Sequence, residues 1–452
     1  MSPAYPSLYQ VNTRVLLTAL SRTLGRPATL DDIRDAELDR IAGLGFDYVW
    51  LLSVWRTGSA GQRVSSAHAG WRHEFEDTLP DLCAEDIAGS GFAITGYTAH
   101  PAVGGTAALA RTRRRLQARG LKLMLDFVPN HMALDHPWVE DHPDYYVGAG
   151  ELEQTRAPQN YTWVKRMRGD VLLAHGRDPY FDGWPDTLQL DYANPATQEA
   201  MIGELLVIAE QCDAVLRHGD AGSAEDLRTH LGPATAPVLG AGHPAREEAG
   251  VRRASTTPTT SASTTGCARD TRGSCASTCG RVSTTRIGSR GSWRTTTSPG
   301  PPRRLRRGCT RPRHKRISPH LVRAPREPVD AALQQFYEGL LTVLERPSVR
   351  DGQCCLVPCT PAWDGNWTSD CFLAWCWQGQ DGQRLLVAVN DAGNQSQCYV
   401  RLPFADLEGH SVQLKDLMGA ATYDRDGADV LARGLFLDLP PWGYHVFELT
   451  AL

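Results

Sequence analysis

The sequence contains no hydrophobic run long enough to cross a bilayer. Its first nine residues lack the basic and apolar regions of a secretory signal, and the apolar patch Val15–Leu20 is bounded by Arg14 and Arg22. The sequence therefore predicts a cytoplasmic protein without a membrane partner. Its 452 residues, 41% hydrophobic content and net charge of -4 are typical of a globular chain with a sizeable core.

The 12 cysteines lack the paired spacing of a zinc site. Cys354, Cys355, Cys359, Cys371 and Cys376 fall in a strand-rich region, where buried reduced thiols are expected in preference to zinc ligands. The sequence gives no reason to predict a cysteine metal site.

Aliphatic and aromatic residues are almost absent from Arg252 to Arg313, which is mostly Arg, Ser, Thr, Gly and Pro. Such a stretch cannot bury enough apolar area to offset the entropy of the chain. Residues 216–316 are therefore predicted to be an aberrant, disordered segment, and a basic disordered linker is the simplest explanation. Nucleic-acid binding is not predicted, because the segment lacks the interleaved aromatics that stack on bases.

Residues 1–215 alternate strand-like and helix-like segments, a pattern typical of an α/β fold. Spacings of this kind fit a parallel sheet that closes into a barrel. Arginines on the helix 106–119 are predicted to form a solvated outer face rather than a nucleic-acid patch. The predicted strands and helices are strands Val11–Leu17, Phe46–Leu52, Leu121–Phe127 and Cys212–Val215, and helices Leu30–Leu44, Thr106–Arg119 and Pro195–Ala209.

Residues 317–346 are predicted to carry the last barrel helix, with apolar residues at helical spacing over Pro328–Leu344. Residues 347–452 show short alternating strands and are predicted to form an all-β domain, with a hairpin turn at Asp381–Gly382. The predicted strands are Cys371–Trp377, Arg384–Val389, Cys398–Leu402, Ser411–Asp416, Gly434–Leu437 and His445–Leu449.

The strongest local motif is Asp126-Phe127-Val128-Pro129-Asn130-His131, which follows a predicted strand. In a barrel, the carboxyl ends of the strands carry the active site. A carboxylate there can accept sugar hydroxyl groups and stabilise positive charge at an anomeric carbon, and an amide carbonyl suits a hard cation. The alternative is that Asp126 caps a turn and His131 packs in the core.

Two further motifs, Gly91–Tyr97 and Pro101–Gly105, precede the helix that leads to that strand. Together these stretches resemble the alpha-amylase family of glycoside hydrolases. The resemblance implies a (β/α)8 TIM-type barrel, incomplete here, with a C-terminal all-β sandwich domain. It extends through Asn12–Val15, Asp135–Val139, Leu188–Tyr192 and Leu439–Tyr444.

By this resemblance, Asp126 is a supporting catalytic carboxylate, and it lines with His131 the subsite of the cleaved sugar. Asn130 is implied as a calcium ligand, and Phe92 takes the place of a stacking tyrosine. An aromatic face suits the C–H face of a sugar, although a core phenylalanine is also compatible with the sequence. Gly96 stands where many relatives have Asp.

The family needs further carboxylates that this sequence lacks. Retaining hydrolysis requires a nucleophile and an acid/base about 5–5.5 Å apart, yet the fourth strand reads Cys212 to His218 and puts His218 in the nucleophile position. No later Glu lies on a predicted strand end. The sequence therefore predicts that the nucleophile and the acid/base are absent.

A shifted reading frame explains this loss. When the codons of Leu216 to Gly232 are shifted by one nucleotide, they can be read as CDMAMLVLPKIFERTWG, which restores a fourth-strand Asp. When the codons of Ser255 to Ala268 are shifted in the opposite direction, they can be read as FDYTYDKRLYDRLR. In the latter frame Val282 to Pro299 gives LDYQDRLARFLENHDEP, including a His-Asp pair. No such reading recovers the acid/base Glu between Glu248 and Ala254.

The resemblance thus implies a retaining glycoside hydrolase that acts on alpha-linked oligo- or polysaccharides and is inactive in this polypeptide. The alternative is a non-catalytic carbohydrate-binding or scaffold protein with a genuine basic insert. Calcium is the one cofactor implied.

Overall fold

The computed structural model describes residues 3–178, 182–218 and 318–452, together with the strands 238–241, 284–288 and 292–295. These residues divide into two compact units. The larger unit contains the described residues of 8–259 and 284–329, and the smaller unit contains those of 1–7 and 330–452. No helix in the described ranges is both long and apolar enough to pass through a bilayer.

The larger unit begins with strand β1, Leu8–Asn12, which leads directly into helix α1, Thr13–Leu24. The predicted strand Val11–Leu17 is therefore wrong. The reason is local, since the side chain of Asn12 accepts a hydrogen bond from a backbone amide of the first helical turn and starts the helix there. Gly25, at φ 69°, ends the helix in the left-handed conformation that glycine favours.

The remaining elements of the larger unit follow in chain order. The helices are α2 Asp35–Ala42, α3 Ser59–Ala67, α4 Ala69–Thr78, α5 Gly105–Gln117, α6 Trp138–Asp141, α7 Glu151–Arg156 and α8 Pro195–Gln211. The strands are β2 Tyr48–Leu52, β3 Trp55–Thr57, β4 Ile94–Ala99, β5 Lys122–Phe127, β6 His131–Ala133, β7 Tyr161–Val164, β8 Val171–Gly176, β9 Trp184–Gln189, β10 Ala214–His218, β11 Val238–Ala241, β12 Thr284–Gly288 and β13 Ser292–Thr295. Elements α5, α8, β2 and β5 confirm the predicted elements at those positions.

The predicted helix Leu30–Leu44 is broken. Leu30–Asp32 is a 3-10 turn, and α2 begins only at Asp35. The backbone amide of Thr29 donates to Asp32 Oδ2 at 2.8 Å and closes the short turn. Ile33 and Arg34 then adopt extended conformations, so the helical stripe restarts after them.

A parallel sheet forms the centre of the larger unit. Its described strands lie in the order β11-β10-β5-β2-β1-β12-β13, and β10, β5, β2 and β1 are mutually parallel. Strands β2 and β5 are buried along almost their whole length, as parallel strands covered on both faces are. Because these strands run in one direction, their carboxyl ends meet at the same edge of the sheet.

Four pieces of the segment 216–316 are described. Residues 216–218 complete β10, 238–241 pair with β10, 284–288 pair with β1, and 292–295 pair with β12. Strands therefore stand where the composition predicted disorder, because each piece supplies backbone groups to a neighbouring strand. The rest of the segment lies outside the described residues, and its disorder and out-of-frame origin stay predictions.

A small antiparallel sheet lies between β5 and α8 in the chain, with the strand order β6-β9-β8-β7. Its pairing of β6 with β9 sets His131 opposite Gln189. The loop that follows β5 is thereby fixed at both ends.

Three of the four arginines of α5 pair with acidic residues of the same unit. Their guanidinium groups lie 2.7 to 3.0 Å from carboxylate oxygens. The predicted outer charged face is thus an ion-paired surface. The pairs are Arg111–Asp31, Arg113–Asp213 and Arg115–Asp35.

The smaller unit is dominated by antiparallel strands. One sheet has the order β14-β16-β17-β22-β19-β20 and another has the order β15-β18-β21. The elements are α9 Ala331–Leu344, α10 Pro347–Arg350, β14 Gln353–Leu356, β15 Cys359–Thr360, β16 Phe372–Gln378, β17 Arg384–Asn390, β18 Ser396–Val400, β19 Ser411–Asp416, β20 Thr422–Asp426, α11 Gly427–Arg433, β21 Leu435–Leu439 and β22 Tyr444–Ala451. Each of the six predicted strands is present, and each of its ends lies within two residues of the predicted one.

The two sheets enclose a common apolar core, in which Leu386, Val400 and Phe447 are almost fully buried, as in a β-sandwich. The predicted hairpin turn is confirmed, since the backbone amide of Gly379 donates to the carbonyl of Gln383 at 2.8 Å across it. Helix α9, predicted as the last barrel helix, clusters with this unit. The predicted domain boundaries at 215, 316 and 346 stay predictions.

A buried ion pair ties residues 318–323 to the rest of the larger unit. Arg323 donates to both oxygens of Asp86, at 2.8 and 2.7 Å, and Asp86 is only 2% exposed. Arg323 also contacts Asp81 at 2.8 Å. The Arg323 hydrogen bonds lower the pKa of Asp86 to about 2.

Replacing Arg323 by Ala is expected to lower the free energy of unfolding by about 3 kcal/mol, because it leaves a buried carboxylate without its main partner. The depressed pKa adds stability above about pH 4 that is lost as the pH falls towards 2, so the effect of the mutation shrinks in that window. Urea denaturation of the parent chain and of the Arg323→Ala variant at pH 7 and at pH 3 measures the loss of stability and its dependence on pH. The exposed Arg326→Ala is the matched control, and an equal loss in the two variants contradicts this account.

Candidate functional site

The candidate site lies at the carboxyl edge of the parallel sheet and centres on Asp126 of β5. Asp126 is 1% exposed. Its Oδ1 accepts a hydrogen bond from Trp50 Nε1 at 2.8 Å and lies 2.6 Å from His218 Nε2. These partners come from β2 and β10, the two strands that flank β5. The parallel register thus brings an indole, a carboxylate and an imidazole together.

The backbone of Asp126 is held as well. Its carbonyl accepts from Trp55 Nε1 at 2.9 Å, and Trp55 is fully buried. Buried indole N–H groups need an acceptor, so two tryptophans fix the side chain and the main chain of one residue.

The turn after β2 is strained. Ser53 has φ 67°, which is rare for a residue other than glycine. Gly91 packs so closely against it that a Cβ at Gly91 would lie 2.0 Å from Ser53 Oγ. Glycine is therefore required at 91, and this close approach positions the neighbouring Phe92. Strain of this kind is often found at ligand sites.

Aromatic rings flank the carboxylate. The Phe92 ring lies 4.9 Å from the His218 ring at 55°, and the Trp50 ring lies 5.6 Å from it at 39°. Phe92 is half-buried rather than part of the closed core. The imidazole of His218 thus lies in contact with Phe92 while it bonds Asp126.

His131 is buried beside this group. Its ring lies 5.2 Å from Trp184, and its Nδ1 is 3.2 Å from Asn130 Nδ2. Burial lowers the pKa of His131 to about 4, with a smaller contribution from the charge of His218. His131 is therefore a neutral imidazole at neutral pH and offers hydrogen bonds without a charge.

Asn130 is engaged by protein groups. Its Oδ1 accepts from Gln189 Nε2 at 3.1 Å, and its carbonyl accepts from the same amide at 2.9 Å. Within the described ranges no three His, Cys, Asp or Glu side chains are grouped to hold a metal ion. Calcium takes six to eight oxygen ligands, which include amide and backbone carbonyl oxygens as well as carboxylates. Calcium at Asn130 stays a prediction.

The structure thus brings together the predicted residues Asp126, His131, Asn130 and Phe92 at one edge of the larger unit. Sequence reasoning missed Trp50, Trp55 and Trp184. The signal that could have found Trp50 is its place near the end of a buried strand, where an indole N–H must find an acceptor.

The small number of acidic residues in the parallel sheet limits the chemistry available at this edge. Asp126 is the one Asp or Glu in the seven described strands of the parallel sheet. Strand β10 ends in Arg217 and His218 instead. The described strands can accept and donate hydrogen bonds and stack on an apolar face, but they contribute one carboxylate.

Residues 29–202 match the family model described as the alpha amylase catalytic domain. This part of the chain is similar to the alpha-amylase family. The matched range includes Phe92, Asp126, Asn130 and His131, and it ends before His218.

Curated relatives match this chain over short stretches. Maltase 1 of Drosophila virilis is 35% identical over 103 residues, which cover 19% of this chain and 16% of the relative. The alpha-1,4-glucan:maltose-1-phosphate maltosyltransferase of Salinibacter ruber is 31% identical over 129 residues, covering 26% and 17%. The chain therefore aligns with less than a fifth of either relative's length.

Solved structures of the family share the fold. A maltogenic alpha-amylase of Thermotoga neapolitana superposes over 100% of both chains with a TM-score of 0.57 at 12% identity. An alpha-amylase of Lactobacillus plantarum superposes over 98% of this chain and 99% of its own with a TM-score of 0.56 at 14% identity. The fold class is thus the (β/α)8 barrel with a C-terminal β domain.

The buried His131 predicts a pH dependence of folding. A histidine takes up a proton near pH 6.5 in the unfolded chain, whereas folded His131 resists it down to about pH 4. Protons then favour the unfolded state, so His131 contributes a loss of stability as the pH falls from about 6.5 to 4. His131→Gln is expected to flatten that part of a urea-midpoint profile.

The exposed His73→Gln gives the baseline for removing any histidine from the larger unit. A steep loss between pH 6.5 and 4 that His131→Gln leaves unchanged would contradict the assignment.

Proposed function

We propose that this chain descends from a retaining glycoside hydrolase of alpha-glucans, and that the polypeptide binds an alpha-linked glucan at Asp126 without cleaving it. The observation that carries the proposal is that Asp126 is the sole acidic residue of the seven described strands. A binding edge survives, whereas the pair of carboxylates needed for the covalent step is missing there.

Binding follows from the groups around Asp126. The carboxylate accepts hydroxyl hydrogen bonds, and the half-buried Phe92 ring offers an apolar face to the C–H groups of a sugar. Neutral His131 lies beside them, bonded to Asn130. The two hydrogen bonds that the carboxylate receives from described residues both end on Oδ1. Neither bond uses Oδ2, and the proposal assigns that atom to a sugar hydroxyl.

Cleavage is opposed by the same geometry. A retaining glycosidase forms a glycosyl ester on one carboxylate while a second, about 5–5.5 Å away, donates a proton. His218 occupies the end of β10, where the family has its nucleophile, and it is bonded to Asp126. The stretch 248–254, where an acid/base Glu was sought, lies outside the described residues.

The alternative is a carbohydrate-binding or scaffold protein that never had the missing groups. It shares the binding edge, so sugar binding does not separate the two. The two hypotheses differ in the origin of residues 216–316, and the nucleotide sequence of the gene distinguishes them.

Titration calorimetry with maltoheptaose tests the binding proposal. Saturable binding is expected, and Asp126→Asn is expected to weaken it at least about 10-fold, because one charge-assisted hydrogen bond is worth about 1.5–3 kcal/mol. Asp31→Asn is the matched control, since Asp31 lies on the exposed face of the same unit. Equal affinity in Asp126→Asn, or no binding by the folded parent chain, would sink the proposal.

Sequencing the gene across Val215 to Ile317 tests the descent. The shifted frames are expected to read CDMAMLVLPKIFERTWG, FDYTYDKRLYDRLR and LDYQDRLARFLENHDEP at the windows identified above. Stop codons or unrelated peptides in those frames favour the scaffold alternative instead.

A further inference from the structure

Two cysteines stand directly opposite each other in the smaller unit. Strand β14 pairs with β16 in antiparallel register, and Cys355 is the Cα partner of Cys376. Side chains of directly opposed residues point to the same face of a sheet. Both cysteines belong to the apolar core between the two sheets, Cys376 as a buried member and Cys355 packed against it.

The register also sets the distance between them. Two residues further on, the amide of Val357 donates to the carbonyl of Ala374 at 3.0 Å, and these residues are opposed in the same register. Hydrogen-bonded pairs alternate along an antiparallel ladder, so Cys355 and Cys376 also occupy a hydrogen-bonded pair, with Cα atoms about 5.5 Å apart. Disulfides most often join Cα atoms about 5.5–6 Å apart. The Cβ atoms of directly opposed residues lie about 4.5–5.5 Å apart, towards the upper value in a hydrogen-bonded pair, whereas a disulfide needs about 3.5–4.5 Å. Closing the bond therefore requires a shift of roughly 1 Å between β14 and β16.

A second cysteine pair in the same unit has poorer geometry. Strand β15 pairs Cys359 with Val400, so Cys398 is its diagonal neighbour. The thiols of Cys359 and Cys398 share a hydrogen bond. Cβ atoms of diagonal neighbours lie up to about 7–8 Å apart, whereas a disulfide needs about 3.5–4.5 Å. The Cys359 and Cys398 thiols are therefore in contact, but their Cβ atoms are too far apart for a disulfide.

We propose that Cys355 and Cys376 form a dithiol site that a small disulfide, such as oxidised glutathione, converts into a cross-strand disulfide. The eight described cysteines carry thiols in this structure, which is the expected form in a reducing compartment. Because β14 is an edge strand of its sheet, the new bond ties that edge to β16.

The exchange proceeds in two steps. The thiolate of Cys355, which is half-buried while Cys376 is 1% exposed, attacks one sulfur of oxidised glutathione and releases one glutathione thiolate. The Cys376 thiol then loses its proton to solvent and attacks the Cys355 sulfur, releasing the second glutathione. Two thiols are oxidised by two electrons, and one disulfide is reduced. Burial raises the pKa of Cys376, so the second step is the slow one.

The experiment uses the full chain in native buffer at pH 8, with oxidised or reduced glutathione. After alkylation, cleavage before aspartates separates the cysteines into the fragments 351–363, 370–380 and 391–405. Mass spectrometry without reduction is expected to find 351–363 joined to 370–380. The melting temperature of the oxidised protein is expected to rise by roughly 5 °C or more, since the bond closes a loop of the smaller unit.

Single-cysteine variants decide which thiols are joined. Cys354→Ser and Cys371→Ser are the matched controls in the same two fragments, and both are expected to keep the link and the melting shift. Cys355→Ser and Cys376→Ala are expected to lose both. A link that persists in Cys355→Ser overturns the proposal. It is equally overturned if 351–363 joins 391–405, or if glutathione adducts form without any link.

Discussion

The structure of the larger unit depends on one buried carboxylate. Asp126 is almost completely removed from solvent at the end of a central strand, and an ion in that position costs several kcal/mol unless donors surround it. Its donors are supplied by neighbouring strands, Trp50 from β2 and His218 from β10. The carboxylate is therefore tolerable only when the three strands are in their observed register, which couples the site to the fold.

The same interaction separates binding from cleavage. An imidazole beside Asp126 supplies a hydrogen-bond donor, whereas a second carboxylate at that position would repel the first and shift the pKa values of both. Such a paired arrangement is what glycosidases exploit. In the proposed function, Asp126 keeps its contact with His218, accepts sugar hydroxyl groups and has no second carboxylate to break the glycosidic bond. Similarity to the alpha-amylase family and the absence of a catalytic pair from the described residues are thus compatible.

Local patterns predicted much of the fold. The strands of the smaller unit were predicted because each alternates buried and exposed side chains between turn residues, as Ser411–Asp416 does. Strand β5 and the motif at its end followed from a short apolar run and a polar cluster. Val11–Leu17 failed because an apolar run fits a strand or a buried helix equally, and the cap at Asn12 decided between them. Leu30–Leu44 failed because a capped short turn interrupted a continuous apolar stripe.

The site was predicted only in part, for a physical reason. Asp126, Asn130 and His131 are close in sequence, so their grouping is local. The contact between His218 and Asp126 joins residues 92 positions apart, and it depends on β10 lying beside β5. His218 looked like a misplaced residue in the sequence, whereas in the structure it is a partner of the carboxylate. Long-range strand order is the information that a single sequence does not carry.

Release of reducing ends from soluble starch by the full chain tests the central claim most directly. The account predicts none above the buffer blank, because one carboxylate at the described strand ends cannot form and resolve a glycosyl intermediate. Clear turnover by the parent chain that Asp126→Ala abolishes would contradict it.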